Sequence, residues 1–202
     1  MKLKQRIIDI SYQLGLTHIG SCVCSVDTID KIYSTKKPEE KFILSNGHAG
    51  LALYVVLEKY KGIDAEYLYK KHGVHPNRDL ANDIHCSTGS LGQGLPIAIG
   101  MALARKDRNI YCTISDGECA EGSIWESLTI AKEEKLNNLK IYLIMNGWAA
   151  YKKIDEDYLM KRIKAFGFPV KIVKTTAEQY PFLKGLEVHY CKIEKEDYEK
   201  IR

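Results

Sequence analysis

Residues 109–147 read NIYCTISDGECAEGSIWESLTIAKEEKLNNLKIYLIMNG. Two unalternated apolar runs, 109–114 and 139–145, flank a segment with helical apolar spacing over 123–134. Unalternated apolar runs are typical of strands covered on both faces, and a strand, a helix and a strand of these lengths predict a parallel βαβ unit. This unit decides the fold class, because a parallel sheet needs helices on its faces.

The flanking sequence repeats the same alternation. An opening helix, with apolar residues at Ile7, Ile8, Ile10 and Leu14, is predicted to end near Gly15. Further helices are predicted over 49–60, 92–105, 157–165 and 194–201, strands over 42–44 and 169–173, and a loop over 72–90. We therefore predict a single α/β domain over residues 1–202, with three α/β/α layers and a mostly parallel sheet.

The composition excludes several classes of protein. With 45% hydrophobic and 28% charged residues, the 202-residue chain is ordinary globular protein, and its net charge of +4 is too small to indicate nucleic-acid binding. The longest apolar stretch, 95–104, is about half of the roughly 20 residues that a membrane span needs. The scatter of the six cysteines fits neither a disulfide framework nor a zinc site. We expect a cytoplasmic protein with reduced thiols and no nucleic-acid or membrane partner.

Two of the predicted strands end in residues that ligate metals. Asp116-Gly117 follows the first strand of the βαβ unit, and Asn146-Gly147 follows the second strand, 30 residues after Asp116. If the two strands are adjacent, the Asp116 and Asn146 side chains lie side by side. Their hard oxygen atoms suit Mg²⁺ or Ca²⁺, and one carboxylate is too little charge without a phosphorylated ligand to complete the shell. The alternative is that both dipeptides are only turns after strands.

Two other features suit an anionic ligand and proton transfer. The segment 87–94, STGSLGQG, places three glycines before a predicted helix, where free N–H groups attract an anion. The alternative is a flexible loop with a helix cap. The histidines His18, His48, His75, His85 and His189 adjoin loops or helix starts, where proton-transfer groups usually lie. The alternative for each is a surface or capping histidine.

Eight segments of the chain, which follow one another in the order found in the family, resemble the N-terminal, thiamine-diphosphate-binding half of transketolase. The most specific are STGSLGQGLPIAIGMALA at 87–104 and SDGECAEGSIWES at 115–127. The others are THIG at 17–20, FILSNGHAGLALY at 42–54, HP at 75–76, NG at 146–147, KAFGF at 164–168 and EVHYCKIEKEDYEKI at 187–201. The resemblance covers nearly the whole chain and implies thiamine diphosphate and Mg²⁺ as cofactors.

The resemblance also implies roles for individual residues. Asp116 and Asn146 match the side-chain ligands of Mg²⁺, with a backbone carbonyl near Trp148 as the third ligand. Four residues match positions that contact the cofactor: His48, Gly89, Leu91 and Gly117. Four match catalytic positions: His18, His75 and His189 on the substrate side, and Glu121 in a hydrogen-bond network across the subunit interface.

In the family, the glutamate that activates the cofactor belongs to a second, pyrimidine-binding domain, which these 202 residues lack. The chain therefore resembles the N-terminal subunit of a split transketolase that works with a separate C-terminal-half subunit. The implied reaction transfers a two-carbon ketol unit from a ketose, usually phosphorylated, to an aldose. The implied partners are sugar phosphates and the C-terminal-half subunit, in a dimer or heterotetramer.

The chain departs from the family pattern at four places. Ser115 replaces a glycine before Asp116, Ile144 replaces an aspartate before Asn146, and His85 replaces an acidic residue. The segment between 168 and 189 is shortened, so that a helix and an edge strand are expected to be missing. These departures leave two alternatives: a non-catalytic or degenerate thiamine-diphosphate-binding scaffold subunit, or a related thiamine-diphosphate enzyme that acts on an unusual sugar.

Overall fold

A four-stranded parallel sheet forms the centre of the protein. The computed structural model describes residues 2–149, 152–185 and 189–201. The strands are β1 (Lys41–Leu44), β2 (Ile110–Ser115), β3 (Leu139–Met145) and β4 (Val170–Lys174), and they lie side by side in chain order. All three pairings are parallel, which confirms the predicted sheet.

The register of β2 against β3 brings the ends of these two strands together. Ile110 pairs with Leu139 at one end and Ser115 pairs with Ile144 at the other. The Asp116 backbone N–H then donates to the Ile144 carbonyl oxygen at 3.0 Å, so the first residue beyond β2 is still held against β3. Asp116 and Asn146 consequently follow neighbouring strands at the same edge of the sheet, as the sequence predicts.

Eight α-helices occur in the described part of the chain. They are α1 (Leu3–Leu14), α2 (Ile19–Thr35), α3 (Gly50–Lys61), α4 (Ala65–His72), α5 (Gly94–Ala104), α6 (Gly122–Glu133), α7 (Glu156–Ala165) and α8 (Lys195–Ile201). Gly15 ends α1 as predicted, and Gly62 ends α3; both are in the left-handed region, which glycine adopts without a Cβ clash.

The helices form one layer on each face of the sheet. Helices α5, α6 and α7 precede β2, β3 and β4 and pack in one hydrophobic cluster with Cys112, Ile141 and Leu143. This arrangement follows from the strand order, since right-handed crossovers that step in one direction place their helices on the same face. Helices α1 to α4 pack in a second cluster with Phe42 and Leu44 on the opposite face. The three α/β/α layers are confirmed.

Two helices, α2 and α4, are not predicted by the sequence pattern. Twelve of the 17 residues of α2 are buried, and residues 19–26 are buried without interruption, so the first half of this helix shows no polar face. It also contains Val23, Val26 and Thr28, whose helix propensity is low, so that tertiary packing determines its structure. Helix α4 is only eight residues long, and Asp64 caps it by accepting a 2.6 Å hydrogen bond from the Tyr67 N–H.

The C-terminal segment returns to the first layer. Leu183 and Ile193 are buried in the cluster with α1 to α4, and Tyr198 stacks on Tyr12 of α1 with ring centroids 4.0 Å apart. Between β4 and α8, the described residues contain no further strand or α-helix. Residues 186–188, which include the start of the 187–201 segment and part of the expected shortening, lie outside the described residues.

Two further observations concern membrane-spanning helices and the environment of the cysteines. In the part of the chain that the structure describes, no helix is long and apolar enough to cross a membrane. Five of the six cysteines are buried in the core, and only Cys191 is partly exposed. Burial raises the pKa of the Cys22 thiol to about 12, so this thiol stays protonated at neutral pH.

The core at the centre of the sheet gives a first prediction. Leu143 is 0% exposed on β3, and Leu143→Ala should lower the free energy of unfolding by about 2–5 kcal/mol, because the cavity cannot fully collapse. Chemical denaturation measures this change. The control Leu80→Ala, at a leucine that is 55% exposed, should cost less than about 1 kcal/mol. Equal losses for both variants would contradict the placement of β3.

Candidate cofactor-binding site

One cleft lies beyond the carboxyl ends of β1, β2 and β3. It encloses about 770 Å³, open solvent included. The strand order of the described sheet shows no reversal, so the cleft does not lie at a topological switch point, where such sites often occur. Ten of the predicted site residues line this cleft: His18, His48, His75, Gly89, Leu91, Asp116, Gly117, Asn146, Trp148 and His189.

Asp116 joins the turn after β2 to the turn after β3. Its Oδ2 atom accepts hydrogen bonds from the N–H groups of Asn146 and Gly147 at 2.9 and 2.8 Å, and Oδ1 accepts one from Gly117 at 3.0 Å. The side chain is only 3% exposed, and burial raises its pKa to about 6 although the three N–H groups act in the opposite direction. The carboxylate is therefore held in one orientation and is poorly solvated.

The donor set fits a hard divalent cation that also binds a ligand. In the described part of the chain, Oδ1 of Asp116 accepts a side-chain hydrogen bond only from the Gly117 N–H and so keeps a lone pair for a ligand. The Asn146 amide lines the same cleft and is oriented by its Oδ1 atom, which accepts the Trp148 N–H at 3.0 Å. Among the described residues, no group of three or more His, Cys, Asp or Glu side chains can hold a metal. A cation here would need oxygen atoms from a ligand, as Mg²⁺ commonly does.

The glycine-rich loop forms one wall of the cleft by close packing. Gly89 lies so near His75 that a Cβ atom at residue 89 would be 2.9 Å from the His75 ring carbon Cγ. Gly92 has a φ of +77°, and a Cβ there would be 2.5 Å from the Ser123 Oγ atom. Only glycine meets both demands, so the loop backbone can approach the start of α6 and the cleft.

Three histidines meet at one end of the cleft. The ring centroids of His18, His48 and His189 are 6.0 to 6.4 Å apart. His18 adopts a left-handed backbone conformation before α2, and its N–H donates to the His189 carbonyl oxygen at 2.9 Å. This hydrogen bond ties the C-terminal segment to the cleft.

Burial lowers the pKa of all three histidines, and that of His48 falls to about 3. The neighbouring histidine rings add to the shift at His48, because like charges oppose protonation. His48 is therefore a neutral imidazole at physiological pH, which can accept a hydrogen bond at one ring nitrogen and donate one at the other.

Glu121 lies apart from the cleft. It is exposed at the N-terminal cap of α6, and it does not line the cleft described above. This placement is compatible with the predicted position at a subunit contact.

Sequence reasoning missed several polar residues of the site. Asn46 lines the cleft and is held on both sides, since its Nδ2 donates to Ser25 Oγ and its Oδ1 accepts from Thr113 Oγ1, each at 3.0 Å. Glu118 is a fully buried carboxylate two residues after Asp116. The SNGH segment that contains Asn46 is a usable signal, whereas the role of Glu118 depends on two partners from distant segments, Ser45 and Gly92, which spacing does not show.

The structure describes the three residues at which the sequence departs from the family pattern, Ser115, Ile144 and His85. Ser115 and Ile144 line the cleft, and the Ser115 N–H donates to a Glu118 oxygen at 2.9 Å. Ile144 supplies a buried apolar side chain beside the Asp116 turn where a carboxylate was expected. His85 does not line the cleft, and its Nε2 lies 3.0 Å from an Asp83 oxygen.

Comparisons with known proteins identify the family. The family model "Transketolase, thiamine diphosphate binding domain" matches residues 14–187, and the chain belongs to this family. One subunit of the apulose-4-phosphate transketolase of Phocaeicola vulgatus is 33% identical over 159 residues, which cover 68% of this chain and 56% of that protein. Human transketolase is 32% identical over 199 residues, covering 85% of this chain and 32% of that protein.

Solved structures share the fold. A transketolase from Campylobacter jejuni superposes with a TM-score of 0.76 at 22% identity, over 93% of this chain and 39% of the other. A transketolase from Leishmania mexicana superposes with a TM-score of 0.64 at 19% identity, over 87% of this chain and 37% of the other. The chain thus spans about half the length of the Phocaeicola vulgatus relative and about a third of human transketolase.

The lowered pKa of His48 makes stability depend on pH. In the unfolded chain the histidine has a pKa near 6.5, whereas in the folded chain it is about 3, so the unfolded state binds the extra proton as the pH falls. Between pH 8 and pH 5 the wild type should lose about 2 kcal/mol of unfolding free energy relative to His48→Asn.

Urea denaturation at several pH values measures this difference. At pH 8 the histidine is neutral in the folded and in the unfolded chain, so the difference between wild type and His48→Asn there gives the effect of the substitution without charge. A difference that does not change with pH would show that His48 protonates freely in the cleft.

Proposed function

We propose that this chain is the N-terminal subunit of a thiamine-diphosphate- and Mg²⁺-dependent transketolase, which transfers a two-carbon ketol unit from a ketose phosphate to an aldose phosphate. The observation that carries the proposal is the convergence of Asp116, Asn146 and the glycine-rich loop on one cleft. The family match supports the cofactor, and the cleft geometry supports its diphosphate and cation.

In this proposal Asp116 and Asn146 hold the Mg²⁺ ion, with a backbone carbonyl near Trp148. The loop that contains Gly89 and Leu91 binds the diphosphate, together with Gly117 and His48. Thiamine diphosphate, when bound, supplies the carbanion chemistry of ketol transfer. The protein's own contribution on this side is to orient the diphosphate and to hold the cation that neutralises it.

The histidines serve the substrate end of the cleft in the proposed reaction. His18 and His189 adjoin each other through a backbone hydrogen bond, and His75 packs against Gly89 at the loop. An imidazole can donate a hydrogen bond to a developing oxyanion and pass a proton between sugar oxygens. The convergence of these side chains supports catalytic roles for His18, His75 and His189.

A second cavity beside the cleft has a small excess of positive charge, which supports a phosphorylated substrate. It shares Asp116 and Gly117 with the cleft, and its charged lining residues are Lys152, Lys153 and Arg162 against Asp116 and Asp155. The Arg162 guanidinium lies 3.9 Å from the centre of the Trp125 ring, a stacked position that fixes the charge. Positive charge at this point attracts anionic sugars toward the cleft.

The proposal includes a separate pyrimidine-binding subunit. The Phocaeicola vulgatus relative is named as one subunit of its transketolase, which supports a division of the enzyme between two chains. The outer face of α5 supports a protein contact, because it is apolar and carries no charged side chain. Its residues are Pro96, Ile97, Gly100, Met101, Leu103 and Ala104. Glu121, exposed near this layer, would join the contact and its hydrogen bonds.

The alternative is a protein that binds thiamine diphosphate without catalysis, and Ser115 and Ile144 in the cleft favour it. An activity assay separates the two functions: the chain, its pyrimidine-binding partner, thiamine diphosphate and Mg²⁺ are mixed with a ketose phosphate and a panel of aldoses. We expect ketol transfer to at least one aldose phosphate, and product analysis would detect an unusual sugar. Cofactor binding without turnover in a folded complex would support the alternative.

The metal ligands are tested by Asp116→Asn, which removes the charge and keeps the size, although in either amide orientation at least one of the three backbone N–H groups loses its acceptor. We expect thiamine diphosphate to bind about 100-fold more weakly in the presence of Mg²⁺, since the cation loses its only charged protein ligand. Titration calorimetry with Mg²⁺ and with a chelator measures the effect.

The matched control is Asp107→Asn, at an exposed aspartate that pairs with Arg105 and Arg108. Its affinity for the cofactor should equal that of the wild type. Unchanged, Mg²⁺-dependent binding by Asp116→Asn would remove this residue from the metal site.

The α5 face is tested by Ile97→Lys. Ile97 is 42% exposed, so the substitution should change the unfolding free energy by less than about 0.5 kcal/mol. Association with the pyrimidine-binding subunit should weaken at least about tenfold, because a lysine charge would be buried in an apolar contact. Sedimentation velocity measures the association, and Tyr67→Lys on α4, in the opposite helix layer, is the control. Equal association of wild type and Ile97→Lys would place the contact elsewhere.

A further inference from the structure

We propose that Glu118 is a positioning residue that holds three segments of the cleft in the arrangement that binds the cofactor. This inference rests on the proposed function and adds to it a residue that touches neither cofactor nor substrate. Glu118 is 0% exposed in the short turn after β2, and it is not among the residues that line the cleft. Any effect it has on binding must act through its neighbours.

The Glu118 carboxylate accepts hydrogen bonds from three different segments. Its Oε1 atom accepts from the Ser45 hydroxyl at 2.6 Å and from the Gly92 N–H at 3.0 Å. Its Oε2 atom accepts from the Ser115 N–H at 2.9 Å. The first two partners are 73 and 26 residues away in sequence, so these bonds fix tertiary structure and not only a local turn.

Each of these segments carries part of the site. Ser45 directly follows β1 and precedes Asn46 and His48, which line the cleft. Gly92 lies in the glycine-rich loop, directly after Leu91, and Ser115 directly precedes Asp116. One carboxylate therefore sets the mutual positions of the cation side and the diphosphate side of the cleft.

Stability alone is a poor explanation for this carboxylate. Burying a charge is costly unless it is fully hydrogen-bonded, and no ion pair to Glu118 occurs within the described part of the chain. A carboxylate offers acceptors only, with two oxygens that several donors can share. Such a group suits the joining of N–H and hydroxyl donors from separate loops in one geometry.

The experiment uses Glu118→Gln, which keeps the size and replaces one acceptor by an amide donor. Oε1 and Oε2 each accept a backbone N–H, so in either amide orientation the Gly92 or the Ser115 N–H loses its acceptor. We expect thiamine diphosphate with Mg²⁺ to bind at least tenfold more weakly in calorimetry. Amide hydrogen exchange in peptides that cover residues 89–94 should become at least tenfold faster.

The matched control is Glu126→Gln, the same substitution at an exposed position of α6, which should leave both readouts within twofold of the wild type. If Glu118→Gln does not fold, Ser45→Ala removes one donor from the same carboxylate and leaves the backbone bonds in place. Its cofactor affinity should fall at least threefold.

The outcomes separate this role from a merely structural one and from the proposed function. A folded Glu118→Gln variant that is less stable but binds the cofactor normally would overturn the positioning role, as would unchanged exchange over residues 89–94. A wild-type chain that does not bind thiamine diphosphate would instead contradict the proposed function itself.

Discussion

The site depends on one set of hydrogen bonds, those that the Asp116 carboxylate accepts from the N–H groups of Asn146 and Gly147. They join the turn after β2 to the turn after β3 at the point where the parallel register ends. Without them, the ends of two neighbouring strands would be two independent loops. With them, a carboxylate and an amide face one cleft with fixed orientations, which is the preorganisation that a cation site requires.

The cleft combines this fixed carboxylate with histidines that burial keeps uncharged. His48 has a pKa of about 3, because desolvation and its neighbouring rings oppose a positive charge, while Asp116 has a pKa raised to about 6. Both shifts disfavour the charged form, so the protein groups alone make the cleft electrostatically unfavourable for charge of either sign. In the proposed function, a divalent cation bound together with an anionic diphosphate would bring charges of both signs that offset each other.

The sequence predicts the sheet well and the details of the site only in part. Strand β3 is predicted at residues 139–145, because a buried parallel strand is a continuous apolar run bounded by turn residues. Helix α2 escapes prediction because residues 19–26 are buried without interruption, so its first half shows no polar face. Spacing does not distinguish His75, which lines the cleft, from His85, which pairs with Asp83, because tertiary contacts decide where a loop histidine points. Glu118 escapes prediction for the same reason.

The described residues after β4 contribute a histidine to the cleft, and the backbone explains how. His189 reaches the start of α2 by accepting the His18 N–H at 2.9 Å, and Leu183 and Ile193 on either side of it are buried in the core. A histidine side chain can therefore be delivered to the cleft by two apolar anchors and one backbone hydrogen bond, without an additional strand. Such a connection does not fully cover the outer edge of the sheet, because the residues of β4 are half-buried or exposed. Within the described residues, the segment after β4 thus supplies one histidine to the cleft and leaves β4 only partly covered.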